Sequence, residues 1–204
     1  MTPGPGPFVL GLTGSIGMGK STTAGMFRAA GVPVWDADAA VHGIYGPGGA
    51  GAPALARLAP EAVTSEGAID RAALRAAIAA DPALLDRIEA AVHPLVAADR
   101  AAFLAAHRAA SLVVCDIPLL YETGADAWLD AVLVVTAPAE VQRARVLARP
   151  GMTEADFDRL LARQTPDAEK RARADHLIDT SAGLDAARAA VQKLVSDLTG
   201  ARNA

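Results

Sequence analysis

Residues 14–21 have the types and the spacing that a chain needs to hold a polyphosphate. Gly14 is followed after four residues by Gly-Lys-Ser. The apolar run at residues 8–12 predicts a strand before this segment, and residues 22–30 predict a helix after it. Because both flanking elements are of the required kind, we predict a phosphate-binding loop and not an ordinary glycine-rich turn. The predicted ligands of the polyphosphate are Gly14, Ser15, Ile16, Gly17, Met18, Gly19, Lys20, Ser21 and Thr22.

The chemistry of such a loop explains its composition. Gly14, Gly17 and Gly19 tolerate positive φ angles and allow the backbone to approach an anion closely. The next helix directs its first amides and its positive dipole end at the same anion. Lys20 adds a positive charge near the β- and γ-oxygens, and the Ser21 hydroxyl is placed to ligate Mg²⁺. The sequence therefore predicts a site for a nucleoside triphosphate and its magnesium ion.

Carboxylates follow two further predicted strands. Residues 32–35 predict a short strand that ends in Asp36-Ala37-Asp38, and the apolar run at residues 112–115 ends in Asp116. Ligands of an open α/β sheet bind beyond the carboxyl ends of the strands, so we expect these acids to face the phosphates. Asp116 is predicted to hold the metal ion, directly or through water. Asp36 or Asp38 can accept a proton or hold the metal through water; the alternative is that either one caps the following helix. Glu122 is a further acid at this edge.

Two arginines follow the next predicted strand. Arg145 and Arg149 are four residues apart in a predicted helix, so they share a face. Two guanidinium groups on one face can clamp phosphate oxygens, and the alternative is a solvated arginine face. Thr153 is predicted to cap another helix. We predict that residues at about 144–173 form a mobile helical lid that excludes water.

Composition excludes several classes of protein. The 204 residues suffice for one sizeable core without a second independent domain. The net charge of -4 and the aromatic content of 4% disfavour a nucleic-acid-binding module. No stretch approaches about 18 strongly apolar residues, and the first seven residues do not resemble a secretory signal. The single cysteine, Cys115, excludes an internal disulfide framework and is compatible with a reducing compartment. It lies in an apolar run, so we expect a buried thiol and not a nucleophile. We expect a cytoplasmic protein without a membrane partner.

The order of the predicted elements indicates the fold. The predicted order is strand, helix, strand, helical block, two strands, helices, strand and helix. This order predicts a three-layer α/β fold of the P-loop nucleoside triphosphate hydrolase type, with a parallel sheet of about five strands. Within one domain, residues 1–204, we expect a nucleotide-binding core at 8–60, 110–143 and 174–200. A helical acceptor-binding insertion is expected at about 61–109, and the lid at about 144–173. Pro94 is expected to kink or break the helix that starts near Pro82.

Taken together, the motifs resemble those of the dephospho-CoA kinase family. The phosphate loop alone is shared with many activities, whereas the ordered combination of Asp-Ala-Asp, His-Pro and Asp-x-Pro-Leu-Leu-x-Glu is much narrower. In place of the usual Ile-Asp-Asn at the end of the last strand, this chain has Ile178-Asp179-Thr180. The matching pieces are the phosphate loop, Asp36-Ala37-Asp38 with His42, Gly67-Ala68-Ile69-Asp70-Arg71, His93-Pro94, Asp116-Ile117-Pro118-Leu119-Leu120-Tyr121-Glu122, Gln142 with Arg145 and Arg149, and Gln164 before Ala174-Asp175.

The resemblance implies that ATP, with Mg²⁺, donates its γ-phosphoryl group to the ribose 3′-hydroxyl of dephospho-CoA. We expect a monomer or weak homo-oligomer. Asp38 is implied to be the base or the residue that orients the hydroxyl, with Thr13 near the reacting phosphate and Arg145 on the lid side. Another small-molecule or nucleotide kinase, and a nucleotide switch that hydrolyses ATP without an acceptor, remain alternatives. The residues implied to bind the acceptor are Asp38, His42, Arg71, His93, Leu119 and Glu122.

Overall fold

The computed structural model describes residues 6–200. The first seven residues are predicted not to form a secretory signal, and the first five of these lie outside the described residues. The described chain forms two compact units. The first unit contains the residues up to Asp36 and those from His107 onward, and the second unit is Ala37–Ala106. The α-helices are α1 Lys20–Ala29, α2 Ala37–Tyr45, α3 Gly51–Leu55, α4 Arg71–Ala80, α5 Leu84–Ala106, α6 Ala139–Leu147, α7 Glu154–Leu161, α8 Asp167–Arg173 and α9 Leu184–Gly200.

The first unit contains a five-stranded sheet in which all neighbouring strands are parallel. Its strands are β1 Phe8–Thr13, β2 Val34–Asp36, β3 Leu112–Asp116, β4 Ala131–Thr136 and β5 His176–Asp179. The spatial order is β2-β3-β1-β4-β5. Strands β3 and β4 are buried along their whole lengths, which explains why their sequences are continuous apolar runs. This parallel sheet and its helices confirm the predicted three-layer α/β architecture.

The core of the first unit lies between the sheet and the helices α1 and α9, which also pack against each other. Leu10 and Leu133 from neighbouring strands, Phe27 from α1 and Val191 from α9 are fully buried in it. Burial of a large apolar side chain stabilises the fold by roughly 1.5–3 kcal/mol. This packing holds the start of α1 near the carboxyl end of β1, and residues 14–19 connect the two elements as a phosphate loop would.

The second unit is helical and has its own core, which includes Leu55, Leu74 and Ile88. It starts at Ala37, whereas the predicted insertion starts at about residue 61. The difference arises because α2 packs on α5 and places Tyr45 against the same apolar cluster. The division into nucleotide core, acceptor insertion and lid remains a prediction.

Helix α5 continues through Pro94, so the helix does not break at this residue, and the alternative of a kink stays a prediction. A proline inside a helix removes the hydrogen bond to the carbonyl group four residues earlier, here that of Ala90. Both Ala90 and Pro94 are exposed. Water can therefore satisfy the freed carbonyl group, and the helix does not have to end.

Candidate active site

The phosphate loop connects β1 to α1, and two of its glycines have left-handed backbones. Gly17 and Gly19 have φ angles of 80° and 91°, which residues with side chains rarely adopt. Gly14 does not have a positive φ angle, so that part of its expected role is wrong. A Cβ atom at Gly14 would lie 2.5 Å from Val135 Cγ2 and 2.7 Å from Val135 O. Glycine is required there for close packing against β4.

The first turn of α1 presents main-chain amides at the end of this loop. Thr23 N donates to Gly19 O at 3.0 Å. The amides of Lys20, Ser21 and Thr22 precede this hydrogen bond and have no acceptor within the helix. Such a helix start binds anions through its amides and its dipole.

The other loop residues are already bonded within the chain. Ser15 and Met18 are each only 2% exposed, and Met18 N donates to Ser15 O at 3.1 Å. The main-chain N and O atoms of Ile16 are bonded to the side chains of Gln164 and Gln142. These contacts shape the loop, and the binding of ATP by these three residues remains a prediction.

Lys20 and Asp116 form an ion pair at the carboxyl end of the sheet. Lys20 Nζ donates to Asp116 Oδ1 at 2.6 Å, and only 3% of the Asp116 side chain is exposed. Burial raises the pKa of Asp116 above its usual value, and the charge and hydrogen bond of Lys20 oppose that rise. Asp36 lies opposite Asp116 in the register of β2 and β3. The structure therefore brings together the predicted phosphate lysine and the predicted metal carboxylate.

Ser21 and Asp116 also suit a magnesium ion. Among residues 6–200, no group of three or more His, Cys, Asp or Glu side chains could hold a metal ion. Mg²⁺ in nucleotide sites retains several waters and takes only one or two protein ligands besides the phosphates. A hydroxyl directly after Lys20 and a carboxylate bonded to Lys20 fit such a site.

Thr13 is the last residue of β1 and is fully buried. Its hydroxyl donates to Pro118 O at 3.1 Å, which ties β1 to the loop that follows β3. Leu119 in the same loop is 42% exposed and is therefore accessible to a ligand. The catalytic role of Thr13 and the acceptor contact of Leu119 remain predictions.

Arg145 and Arg149 line one cavity of about 290 Å³ together with Gly17, Gly19 and Thr22. Arg149 lies beyond the end of α6, so the two arginines do not share a helix face as expected. They nevertheless reach the same cavity beside the phosphate loop. This position is suited to holding part of a nucleotide.

Thr180 connects this cavity to the sheet, a role that sequence reasoning missed. Arg145 Nη1 donates to Thr180 Oγ1 and Arg145 Nη2 to Thr180 O, both at 2.8 Å. Thr180 Oγ1 in turn donates a hydrogen bond to Met18 O in the phosphate loop at 2.9 Å. The departure from Ile-Asp-Asn marked this position in the sequence, but its contacts depend on β5 lying beside β4.

The Glu122 carboxylate is occupied by the segment that contains α8. Glu122 Oε1 accepts a hydrogen bond from Thr165 N at 2.7 Å and lies 3.0 Å from Lys170 Nζ. Lys170 is fully buried. Burial raises the pKa of Glu122, but the hydrogen bonds and the charge of Lys170 outweigh it, so the pKa is lowered overall. Glu122 thus anchors the predicted lid, and its contact with an acceptor remains a prediction.

Glu122→Gln is expected to lower the free energy of unfolding by about 3 kcal/mol at pH 7, because it leaves the buried Lys170 ammonium unpaired. A carboxyl group with a lowered pKa contributes stability above its ordinary pKa and loses it as the pH falls through the lowered value. The difference between wild type and variant should therefore shrink at pH 4. Urea unfolding at both pH values measures it.

A second background controls for the loss of the hydrogen bond to Thr165. In the Lys170→Met background, Glu122→Gln should lower the free energy of unfolding much less at pH 7, because no buried charge is left without a partner. An equal loss of stability in both backgrounds and at both pH values would contradict the ion-pair explanation.

The remaining predicted acceptor residues lie in the second unit, and all of them are exposed. Asp38 is in the first turn of α2. His42 lies later in α2, and His93 lies in α5. Arg71 starts α4 and has its guanidinium carbon 5.6 Å from the ring centre of Tyr45. The roles of these four residues remain predictions.

A family model described as dephospho-CoA kinase matches residues 8–186. The chain belongs to the dephospho-CoA kinase family. It is 63% identical over 192 residues to a dephospho-CoA kinase of Cereibacter sphaeroides, covering 94% of this chain and 96% of that protein. It is 58% identical over 196 residues to the dephospho-CoA kinase of Mesorhizobium japonicum, covering 95% and 98%. The resemblance identified from the motifs is thus confirmed.

Solved structures of other proteins share the fold of this chain. A Thermus thermophilus protein, TT1252, is 36% identical with a TM-score of 0.81, covering 95% of this chain and 98% of that one. A dephospho-CoA kinase from Campylobacter jejuni shares the fold at 20% identity, with a TM-score of 0.60 and coverage of 93% and 96%. In residues 6–200 of this family member, we find no helix that is long and apolar enough to cross a membrane.

Proposed function

We propose that this chain transfers the γ-phosphoryl group of ATP to the ribose 3′-hydroxyl of dephospho-CoA, giving CoA and ADP in the last step of CoA biosynthesis. Membership of the dephospho-CoA kinase family supports the choice of acceptor. The ion pair of Lys20 and Asp116 beside the phosphate loop carries the proposal for the nucleotide site. We further propose that the enzyme works in the cytoplasm as a monomer or weak homo-oligomer.

Phosphoryl transfer requires mainly alignment and charge stabilisation from the protein. In our mechanism, the Lys20 ammonium group leaves Asp116 when the nucleotide binds and instead contacts the β- and γ-oxygens. Arg145 and Arg149 act on the phosphates from the cavity that they line with the phosphate loop. Ser21 and Asp116 would hold Mg²⁺, which supplies positive charge against the phosphate oxygens.

Asp38 completes the proposed mechanism by orienting the acceptor. It accepts the proton of the 3′-hydroxyl as the oxygen attacks the γ-phosphorus. The bond from this phosphorus to the β–γ bridging oxygen breaks, and ADP leaves with the electron pair. His42, Arg71, His93, Leu119 and Glu122 are proposed to bind the acceptor, and Thr13 to lie near the reacting phosphate.

A panel of acceptors with labelled ATP tests the proposal. Dephospho-CoA is expected to raise label transfer at least about 100-fold over hydrolysis in water, in keeping with the contribution of a positioned acceptor and base. Shikimate, nucleosides and nucleotides should not raise it. A 3′-deoxy analogue of dephospho-CoA is the matched control, because it lacks only the proposed nucleophile.

The outcomes separate the alternative functions. Preferred transfer to another alcohol would indicate a different small-molecule kinase. Fast hydrolysis of ATP at a rate that no acceptor changes would indicate a nucleotide switch. Label on CoA at a position other than the 3′-oxygen would contradict the proposed nucleophile.

A further inference from the structure

Ile16 in the phosphate loop is held by two glutamine side chains. Ile16 N donates to Gln164 Oε1 at 3.0 Å. Gln142 Nε2 donates to Ile16 O at 2.8 Å. The two bonds act on consecutive peptide groups, the one before Ile16 and the one after it. We call Gln142 and Gln164 the glutamine brace.

The Gln142 side of the brace is rigid. Gln142 is only 4% exposed and lies on α6. A Cβ atom at Gly17 would lie 2.5 Å from Val146 Cγ2 and 3.0 Å from Gln142 O. Helix α6 therefore packs directly on the phosphate loop, and Gln142 extends a hydrogen bond from a fixed surface.

The Gln164 side is held by separate anchors on the turn between α7 and α8. Gln164 N donates to Leu161 O at 3.0 Å, at the end of α7. The next residue, Thr165, donates its N–H to Glu122 Oε1 at 2.7 Å. Asp167 at the start of α8 accepts a hydrogen bond from Thr136 Oγ1 at 2.8 Å. The turn is thus attached to β4 and to the loop after β3, and Gln164 extends from it to the phosphate loop.

We propose that Gln164 is a positioning residue for ATP, acting through the Ile16 peptide and coupling the α7–α8 turn to the nucleotide site. Left-handed glycines at 17 and 19 leave the loop little stiffness of its own. A brace that fixes the loop before ATP arrives reduces the conformational entropy lost on binding, which raises affinity without a contact to the ligand. This inference rests on the nucleotide site of the proposed function but not on the identity of the acceptor.

Two variants of Gln164 separate hydrogen bonding from packing. Gln164→Ala removes the side chain, and Gln164→Met retains its approximate volume but cannot accept the Ile16 hydrogen bond strongly. Both are expected to weaken binding of a non-hydrolysable ATP analogue about 5- to 10-fold, the size expected for one net hydrogen bond. The KM for ATP should rise in parallel, while the KM for dephospho-CoA should stay within about twofold. Tm should fall by only about 2–4 °C, the shift expected when a chain of this size loses one net hydrogen bond.

Gln192→Ala is the matched control, because Gln192 is an exposed glutamine on α9. It should leave analogue affinity unchanged. Calorimetry with the analogue alone needs no acceptor, so a failure of the proposed acceptor chemistry would appear in the wild-type assay and leave this comparison intact. The proposal would be overturned if Gln164→Met bound the ATP analogue as tightly as the wild type does. An equal rise in the KM values of both substrates would also overturn it.

Discussion

Lys20→Ala is expected to lower phosphoryl transfer by about 100- to 1,000-fold while the chain remains folded. The variant removes a positive charge that would stabilise the transferring phosphates, and loss of one such electrostatic group costs roughly 100- to 1,000-fold in comparable sites. It also removes the partner of Asp116, whose carboxyl group is 3% exposed. Because burial already raises the pKa of this carboxyl, it can take up a proton, which limits the cost to stability. Steady-state kinetics and thermal unfolding measure the two effects.

Lys193→Ala is the matched control for this experiment. Lys193 is an exposed lysine that pairs with Asp197 on α9, and its removal should change neither turnover nor unfolding measurably. Unaltered kinetics in Lys20→Ala would contradict the phosphate-loop interpretation. Loss of activity accompanied by unfolding would mean that the ion pair with Asp116 is mainly structural.

Asp38→Asn is expected to lower turnover by about 100-fold or more and to leave ATP affinity nearly unchanged. The change preserves the size of the side chain but removes the basicity proposed to accept the hydroxyl proton, and general-base groups contribute roughly 100- to 10,000-fold. Asp38 is exposed in the first turn of α2, so its replacement should not disturb a core. Single-turnover kinetics at saturating ATP report the chemical step.

Asp36→Asn provides the comparison for Asp38. Asp36 Oδ2 lies 3.8 Å from Arg28 Nη2 and is half-buried at the end of β2. If Asp38 alone is the base, Asp36→Asn should weaken turnover much less than Asp38→Asn. Near-normal turnover in Asp38→Asn would remove Asp38 from the catalytic role, and a shifted magnesium dependence in Asp36→Asn would assign the metal contact to Asp36.

The phosphate loop, the buried strands and a helix cap of this protein could be predicted from residues that are neighbours in the chain. The phosphate loop could be predicted because its glycines, Lys20 and Ser21 lie within eight residues, between a strand and a helix. The strand ending in Asp116 could be predicted because a strand buried on both faces must be apolar throughout. Thr153 caps α7 as expected, with its hydroxyl accepting from Asp156 N. Each of these features depends on residues that are close together in the chain.

The contacts between residues that are distant in the chain could be seen only in the folded protein. Lys20 and Asp116 are 96 positions apart, and Ile16 and Gln164 are 148 apart. Their pairing depends on the order β2-β3-β1-β4-β5, which places β1 between β3 and β4, two strands that do not follow it directly in the chain. A periodic pattern reports which face of an element is buried, but it does not report what that face will contact. The occupation of Glu122 by Thr165 and Lys170, and the position of Thr180 beside Arg145, therefore became visible only in the folded chain.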